Sequence, residues 1–380
     1  MKKTSPSATI LFSEYEDAIV DTDTLSNSKI APILFGLFGE VGSLMSVSKK
    51  RIREKEAFKN YLRDIEEELG DILWYVAALC RRIDVSLSDI VSEALNNGNF
   101  TINVAANSSK SGPISRVVSV TNLKRINPVL LRLGEKSANL LSVRKKKPVK
   151  IRSALVEFIQ IYIETVQIST IPFANIVKRN IDKTRGRFIK PSLKKLPKFD
   201  NKFPKRERIP RKFKIEIKEP KRGECYLRWR GVVIGNALSD NIKNPDDYRF
   251  HDVFHLSYAA VLHWSPTFRA LIKHKRKSNK KFDEAEDSGR PRLIEEGLSA
   301  YIFSHAKDLK FFKGHDRLSF GLLKDIQNFV RGYEVEKCPL YLWEDAILQG
   351  YKVFRKVSKN KGGIVIGDRQ KRTLRYKPLK

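Results

Sequence analysis

Glu68-Leu-Gly-Asp71 sets two carboxylates at i and i+3, which a helix brings to one face. Asp64 shares that face, and Glu67 pairs with Asp71 at i+4. Glu68 and Asp71 stand among Leu69, Ile72, Leu73 and Trp74, an apolar setting in which a carboxylate needs a partner. The facing carboxylate is Glu40, in Gly36-Leu-Phe-Gly-Glu40-Val-Gly-Ser-Leu44. Carboxylates meeting from two helices make an oxygen-rich cage suited to Mg²⁺ or Mn²⁺. An ordinary acidic helix face carries the same spacing. A second constellation is His251-Asp252-Val-Phe-His255, with both histidines at helical i, i+4 spacing and Asp252 three residues before His255. Such spacing suits a metal, with Glu295 or Glu296 as a further ligand. A buried hydrogen-bonded cluster, or a general-base pair without metal, is the other reading.

Helical periodicity must position these groups. Ile33, Leu34, Leu37, Val41, Leu44 and Met45 mark one helix, followed by the polar run 48–59. Tyr61–Ile83 gives a second helix, with Leu62, Ile65, Leu69, Ile72, Leu73, Val76 and Leu79 inward. A third starts near Asp84, with Ser86 or Ser88 as N-cap. Residues 97–122 read as a loop. Leu44-Met-Ser-Val-Ser-Lys-Lys50 then echoes in Leu140-Leu-Ser-Val-Arg-Lys-Lys146, and Ser88-Asp-Ile-Val91 in Ala174-Asn-Ile-Val177. The echoes describe a weak internal repeat around a long helix, Ile151–Ile168. At an offset of 86, Asp71 corresponds to Glu157 and Glu68 to Ala154; the other register places Lys136 at Glu40.

The chain of 380 residues carries 74 Lys and Arg against 43 Asp and Glu, a net charge of +31, which favours polyanionic partners. Between Lys178 and Arg222, 19 cations stand against 5 anions, with five prolines that deny a continuous helix. This stretch reads as an extended basic connector, either a phosphate-binding arm or a solvated linker. Beyond it, Phe213–Lys218 and Tyr226–Ile234 alternate like strands, helical periodicity returns from Tyr248 to Val357, and the Gly362 tail reads as a terminal strand. The acidic stretch Asp283–Asp287 is either solvated or neutralises the basic run Lys273–Lys281. No 18-residue apolar run is seen and no secretory leader, so no membrane span is expected. Three scattered cysteines make a reducing, cytoplasmic location the default.

GLFGEVGSLMSVSKK followed by EELGDILWYVAALCRRIDVSLSDI, over about residues 29–100, resembles the MazG-like nucleoside triphosphate pyrophosphohydrolases. The resemblance implies an all-α fold of paired helices, often dimeric, that hydrolyses NTPs or dNTPs to the monophosphate and pyrophosphate with Mg²⁺. It carries the first Glu of the family's ExxE onto Glu40, and ExxD onto Glu68 and Asp71. The second Glu of ExxE falls on Ser43, which removes one carboxylate; Glu66 or Glu67 is the candidate replacement. Asn180, Lys183 and Arg187 resemble the NxxK…R tail of the family and imply nucleotide binding. The cations of a polar helix end give the same pattern.

The expected architecture is mainly α: a tandem MazG-like helical bundle followed by an α-rich domain with a small β-sheet. Its parts are a MazG-like unit at 1–110, a degenerate second unit at 123–188, the basic connector at 189–212 and a C-terminal domain of unknown type at 213–380, similar in overall look to the C-terminal extension of some long MazG-like proteins. The expected function is a metal-dependent nucleotide pyrophosphohydrolase, catalytic and metal residues Glu40, Glu68 and Asp71. A second metal is expected at His251, Asp252, His255 and Glu296. Nucleoside triphosphates are the expected partners, with nucleic acid on the basic connector, a homo-oligomer compatible with the family, and no membrane. The competing readings are a catalytically degenerate nucleotide- or nucleic-acid-binding protein, or chemistry in the C-terminal site with the N-terminal part as a nucleotide sensor.

Overall fold

The computed structural model describes residues 12–25, 29–96, 126–143 and 148–379. The loop expected at 97–122 lies outside them, as do Arg144–Lys146 of the second echo. The chain is mainly α with one small antiparallel sheet and forms two compact units, 1–189 and 190–380.

In the first unit the helices are α1 (Phe12–Val20), α2 (Ala31–Glu54), α3 (Tyr61–Arg82), α4 (Leu87–Asn96), α5 (Ile126–Val143), α6 (Pro148–Ser169) and α7 (Phe173–Phe188). Helix α2 continues through most of the polar run, to Glu54, and Ser86 caps α4 by accepting the Asp89 N–H at 3.1 Å. Apolar stripes at helical spacing bury Ile33 and Leu37 of α2, Leu69 and Leu73 of α3, Leu133 of α5, Phe158 of α6 and Ile176 of α7 in one core. By length and composition alone, the helical stretch Ala31–Ala57 is apolar enough to cross a membrane; the apolar stripe of α2 packs on α3 and α5.

The packing follows an exchange of α2–α4 with α5–α7. Helix α2 packs on α5, α3 on α7, and α4 on α6, the set that a two-fold operation generates. The offset of 86 also relates side-chain contacts. Arg179 Nη1 donates to Glu66 Oε2 at 3.0 Å, and Arg152 Nη2 donates to Glu93 Oε2 at 2.8 Å. Subtracting 86 turns Arg152 into position 66 and Arg179 into position 93, so the two bridges are counterparts with their charges exchanged.

The second unit holds β1 (Lys212–Lys221), β2 (Glu224–Trp229), β3 (Val232–Leu238), β4 (Gly362–Asp368) and β5 (Thr373–Lys377) in the order β3-β2-β1-β4-β5, all antiparallel. Its helices are α8 (Asp252–Ser257), α9 (Pro266–Leu271), α10 (Lys280–Glu286), α11 (Gly289–Asp308), α12 (Phe320–Phe329) and α13 (Leu340–Asn360). Alternation along β1 buries Phe213, Ile215 and Ile217, and Ile215 pairs with Val365. Helix α8 packs on α13 and β4, so Val253, Phe254, Trp343 and Phe354 share the core with the sheet.

The expected connector at 189–212 is instead part of this unit. Leu196, Phe203 and Ile209 are buried, and the Asp200 side chain is wholly enclosed. Asp200 accepts from Arg269 Nη2 at 2.9 Å, Arg369 Nη2 at 2.8 Å and the Ile209 N–H at 2.9 Å. Scattered anchors and one buried carboxylate replace a periodic apolar face. Lys194, Lys195, Lys198, Lys202, Lys205 and Arg206 remain exposed on its outside.

The acidic stretch 283–287 neutralises basic neighbours. Arg276 Nη2 meets Asp287 Oδ1 and Glu334 Oε1, each at 2.7 Å, and Lys275 meets Asp283 at 2.8 Å. Beside them, burial and then the Glu334 charge push the Glu286 carboxyl up to about 7, against the pull of the Glu334 N–H and Arg276. A carboxyl that binds its proton more tightly folded than unfolded costs stability as pH rises through that window, from about 4.5 to above 7. Glu286→Gln is therefore expected to raise the melting temperature at pH 8 by a few degrees. It should leave the melting temperature nearly unchanged at pH 4. Thermal scans of both proteins at the two pH values check this.

Candidate functional site

Helices α2 and α3 bring Glu40, Glu68 and Asp71 together: one carboxylate oxygen from each lies within 4.8 Å of the others. Helix α7 completes the cluster. Lys183 Nζ donates to Glu67 Oε1 at 2.9 Å and to Asp71 Oδ2 at 2.5 Å. Asn180 Nδ2 donates to Asp71 Oδ1 at 3.1 Å, and its own Oδ1 accepts from Tyr15 Oη at 2.9 Å. Gly70 permits this approach. A Cβ there would lie 3.0 Å from Asn180 Cβ and 3.3 Å from the Ile176 carbonyl, so a side chain would push α7 away from Asp71.

Burial, followed by the Asp71 charge, pushes the Glu40 carboxyl above the usual carboxylate range, partly offset by its hydrogen bond with Glu68. Burial alone would lower Lys183; Asp71 and Glu67 outweigh it, so the ammonium is held more firmly than in water. The all-oxygen donor set fits a hard divalent cation such as Mg²⁺ or Mn²⁺. Of the two candidates to replace the carboxylate absent at Ser43, Glu67 is engaged by Lys183 and lies 3.7 Å from Arg179, and Glu66 pairs with Arg179 at 3.0 Å. Asn180 and Lys183, expected to contact nucleotide, are placed against Asp71, and Arg187 is buried. Tyr15 was not anticipated, because α1 carries no signal linking it to α7.

The repeat-related positions tell a different story. Lys136, the counterpart of Glu40, donates to Glu157 Oε2, the counterpart of Asp71, at 2.6 Å. An internal ion pair stands where the first half assembles carboxylates.

In the second unit, His251, Asp252 and His255 also converge, with one ligand atom of each within 4.8 Å of the others. A 3₁₀ turn, Tyr248–Phe250, leads into α8 and carries His251 at its end. His255 Nε2 lies 3.2 Å and His251 Nε2 3.4 Å from Glu296 Oε2 on α11. Of the two adjacent glutamates, Glu295 takes an orienting place. It is fully buried, with Oε1 2.9 Å from His255 Nδ1, the Ser265 hydroxyl donating to Oε1 at 2.6 Å and the Thr267 N–H to Oε2 at 2.8 Å. Ser265 and Thr267 went unread as site residues; the Ser-Pro-Thr start of α9 is an N-cap signal that points to them. Burial opposes the His255 imidazolium, but Glu295 and then Glu296 raise it well above the ordinary histidine value. Asp252 is pushed up by burial, with His251 and His255 pulling back.

Comparison with known proteins places a family match on this second unit. Residues 194–380 match the MazG C-terminal domain, a region the sequence reading left without an assigned type, while the resemblance quoted above lay at 29–100. The Gene 37 protein of Mycobacterium phage L5 is 35% identical over 78 residues, covering 20% of this chain and 67% of that protein. No solved structure matches the chain.

Proposed function

Because its residues 194–380 are MazG-type, matching the MazG C-terminal domain, we propose that this chain is a nucleoside triphosphate pyrophosphohydrolase whose chemistry lies at Glu40, Glu68 and Asp71. The observation that carries the reading is the meeting of those three carboxylates from two helices, beside a lysine and an asparagine from a third. Glu40, Glu68 and Asp71 would hold a divalent cation, which supplies charge stabilisation on phosphate oxygens and a more acidic water. A water attacking phosphorus would expel pyrophosphate, its proton passing to a carboxylate of the cluster or to solvent. Asn180 and Lys183 fix the rotamer of Asp71, and Lys183 adds positive charge where the polyphosphate would arrive.

A panel of NTPs and dNTPs incubated with Mg²⁺ or Mn²⁺ tests the reading. Chromatography is expected to show nucleoside monophosphate and pyrophosphate in equal amounts. Diphosphate with inorganic phosphate, or no turnover of any nucleotide, would overturn it.

A second reading, contact with a polyanion such as nucleic acid, is favoured by the exposed cations at 194–206.

A further inference from the structure

We propose that the second unit carries its own transition-metal site, with His251 Nε2, His255 Nε2, Asp252 and Glu296 as ligands to a divalent ion of the Mn²⁺ to Zn²⁺ series. The inference does not rest on the hydrolase reading.

The argument starts from the far side of each imidazole. His251 Nδ1 lies 2.9 Å from the Tyr248 carbonyl, and His255 Nδ1 lies 2.9 Å from Glu295 Oε1. A carbonyl or an ionised carboxylate only accepts, so in both rings Nδ1 carries the proton. The ring nitrogen left for a metal is then Nε2, which lies 3.2 Å (His255) and 3.4 Å (His251) from the same carboxylate oxygen, Glu296 Oε2; a metal bound there takes the place of any Nε2 proton. Orientation of a ligating imidazole by a carboxylate or carbonyl on its other nitrogen is how proteins prepare histidines for metal. Glu295 is held rigid for that task by Ser265 and the Thr267 N–H.

A second observation is independent of this orientation. The His255 side chain is only 1% exposed, yet its Nε2 makes no well-aligned hydrogen bond; Glu296 Oε2 is near but off line. A buried polar nitrogen without an aligned partner is costly, and an ion between Nε2 and the carboxylates would satisfy it. Tyr248 stacks on His251, with ring centroids 4.4 Å apart and planes at 6°, which fixes that ring as well. Glu296 is 40% exposed, so the ion would enter from its side.

The donor set names the ion class. Two imidazoles with two carboxylates suit Mn²⁺, Fe²⁺, Co²⁺, Ni²⁺ or Zn²⁺; Mg²⁺ and Ca²⁺ prefer oxygen throughout, and soft ions prefer sulfur. The Glu40, Glu68 and Asp71 cluster is all oxygen, so the two units would select different metals.

Co²⁺ is the probe, because imidazole nitrogen changes its visible d–d absorption. The full chain, stripped with a chelator, is titrated with Co²⁺ alone, in wild type and in an Asp71→Asn background that weakens the first cluster. One equivalent is expected to give visible bands in both. His255→Ala should abolish them, with folding checked by far-ultraviolet circular dichroism. Glu296→Gln, at the half-exposed position, should weaken binding about tenfold or more. If His255→Ala does not fold, Glu296→Gln decides alone. Absence of bands in wild type, retention of them in folded His255→Ala, or unchanged affinity in Glu296→Gln would overturn the site.

Discussion

Asp71→Asn should reduce pyrophosphate release from nucleoside triphosphates by about 100-fold or more, because even groups one layer behind a metal ligand cost 10- to 100-fold when removed. Asp71 is the side chain on which the cluster turns. Its carboxylate meets Glu40 and Glu68 on one side and receives Lys183 and Asn180 on the other. The amide keeps the shape and loses the charge, so a metal loses an anionic ligand, and the single amide oxygen cannot serve both Lys183 and Asn180 as the two carboxylate oxygens do. Glu157→Gln, at the repeat-related position, supplies the control. It breaks only the partly exposed bridge to Lys136, a class of interaction worth about 0–1 kcal/mol, and activity should stay close to wild type. Initial rates of both variants, with thermal melts to show that each is folded, make the comparison. Equal turnover in Asp71→Asn and wild type would move the chemistry away from this cluster.

The largest effect on stability is expected at Asp200. Its enclosed carboxylate neutralises Arg269 and Arg369, themselves 1% and 7% exposed at the side chain, and receives the Ile209 N–H. Asp200→Ala would leave two buried guanidinium groups without this charge, although Arg269 keeps the Glu207 carbonyl and Arg369 the Ile209 carbonyl. Removing one partner of a buried ion pair costs about 3–5 kcal/mol, against a total stability of about 5–15 kcal/mol for a typical domain. Urea unfolding followed by tryptophan fluorescence reads this, since Trp229, Trp264 and Trp343 lie in the second unit and Trp74 in the first. The Arg369 and Arg269 charges outweigh burial and hold the Asp200 carboxyl below the usual range. Its contribution is therefore complete above about pH 4 and is lost as pH falls through the folded value. The gap between wild type and Asp200→Asn should narrow in acid. A midpoint unchanged by Asp200→Ala at pH 7 would show that the two arginines are satisfied without it.

The parts of the fold legible in the sequence are those with a period. The inward stripes of α2 and α3, except Leu62, which is 54% exposed at the first turn of α3, the i, i+3 carboxylates and the i, i+4 histidines all follow from helix geometry, which fixes neighbours on the same helix. What periodicity does not report is a partner from another element. Spacing offered Glu295 or Glu296, with Glu296 the expected ligand, and only the packing of α11 on α8 and α9 shows that Glu295 orients His255 from behind. Residues 189–212 failed for the opposite reason. Prolines and lysines remove every period, while burial there depends on three separated apolar anchors and on Asp200 meeting arginines 69 and 169 positions away. The repeat was legible only as faint echoes. Its stronger sign, the exchanged bridges, needs the offset of 86 to be read together with the contacts.

Those exchanged bridges also bear on how such halves would pair. Two first halves from different chains, arranged as the two halves are arranged here, would bring Glu66 against Glu93. Two second halves would bring Arg152 against Arg179. Each like-with-like assembly sets equal charges face to face, and only the unlike combination places Glu66 on Arg179 and Arg152 on Glu93. The division of charge between the halves therefore favours the unlike combination, each partly exposed bridge contributing about 0–1 kcal/mol. In this chain the half facing the carboxylate cluster contributes Asn180 and Lys183 in place of another set of acids.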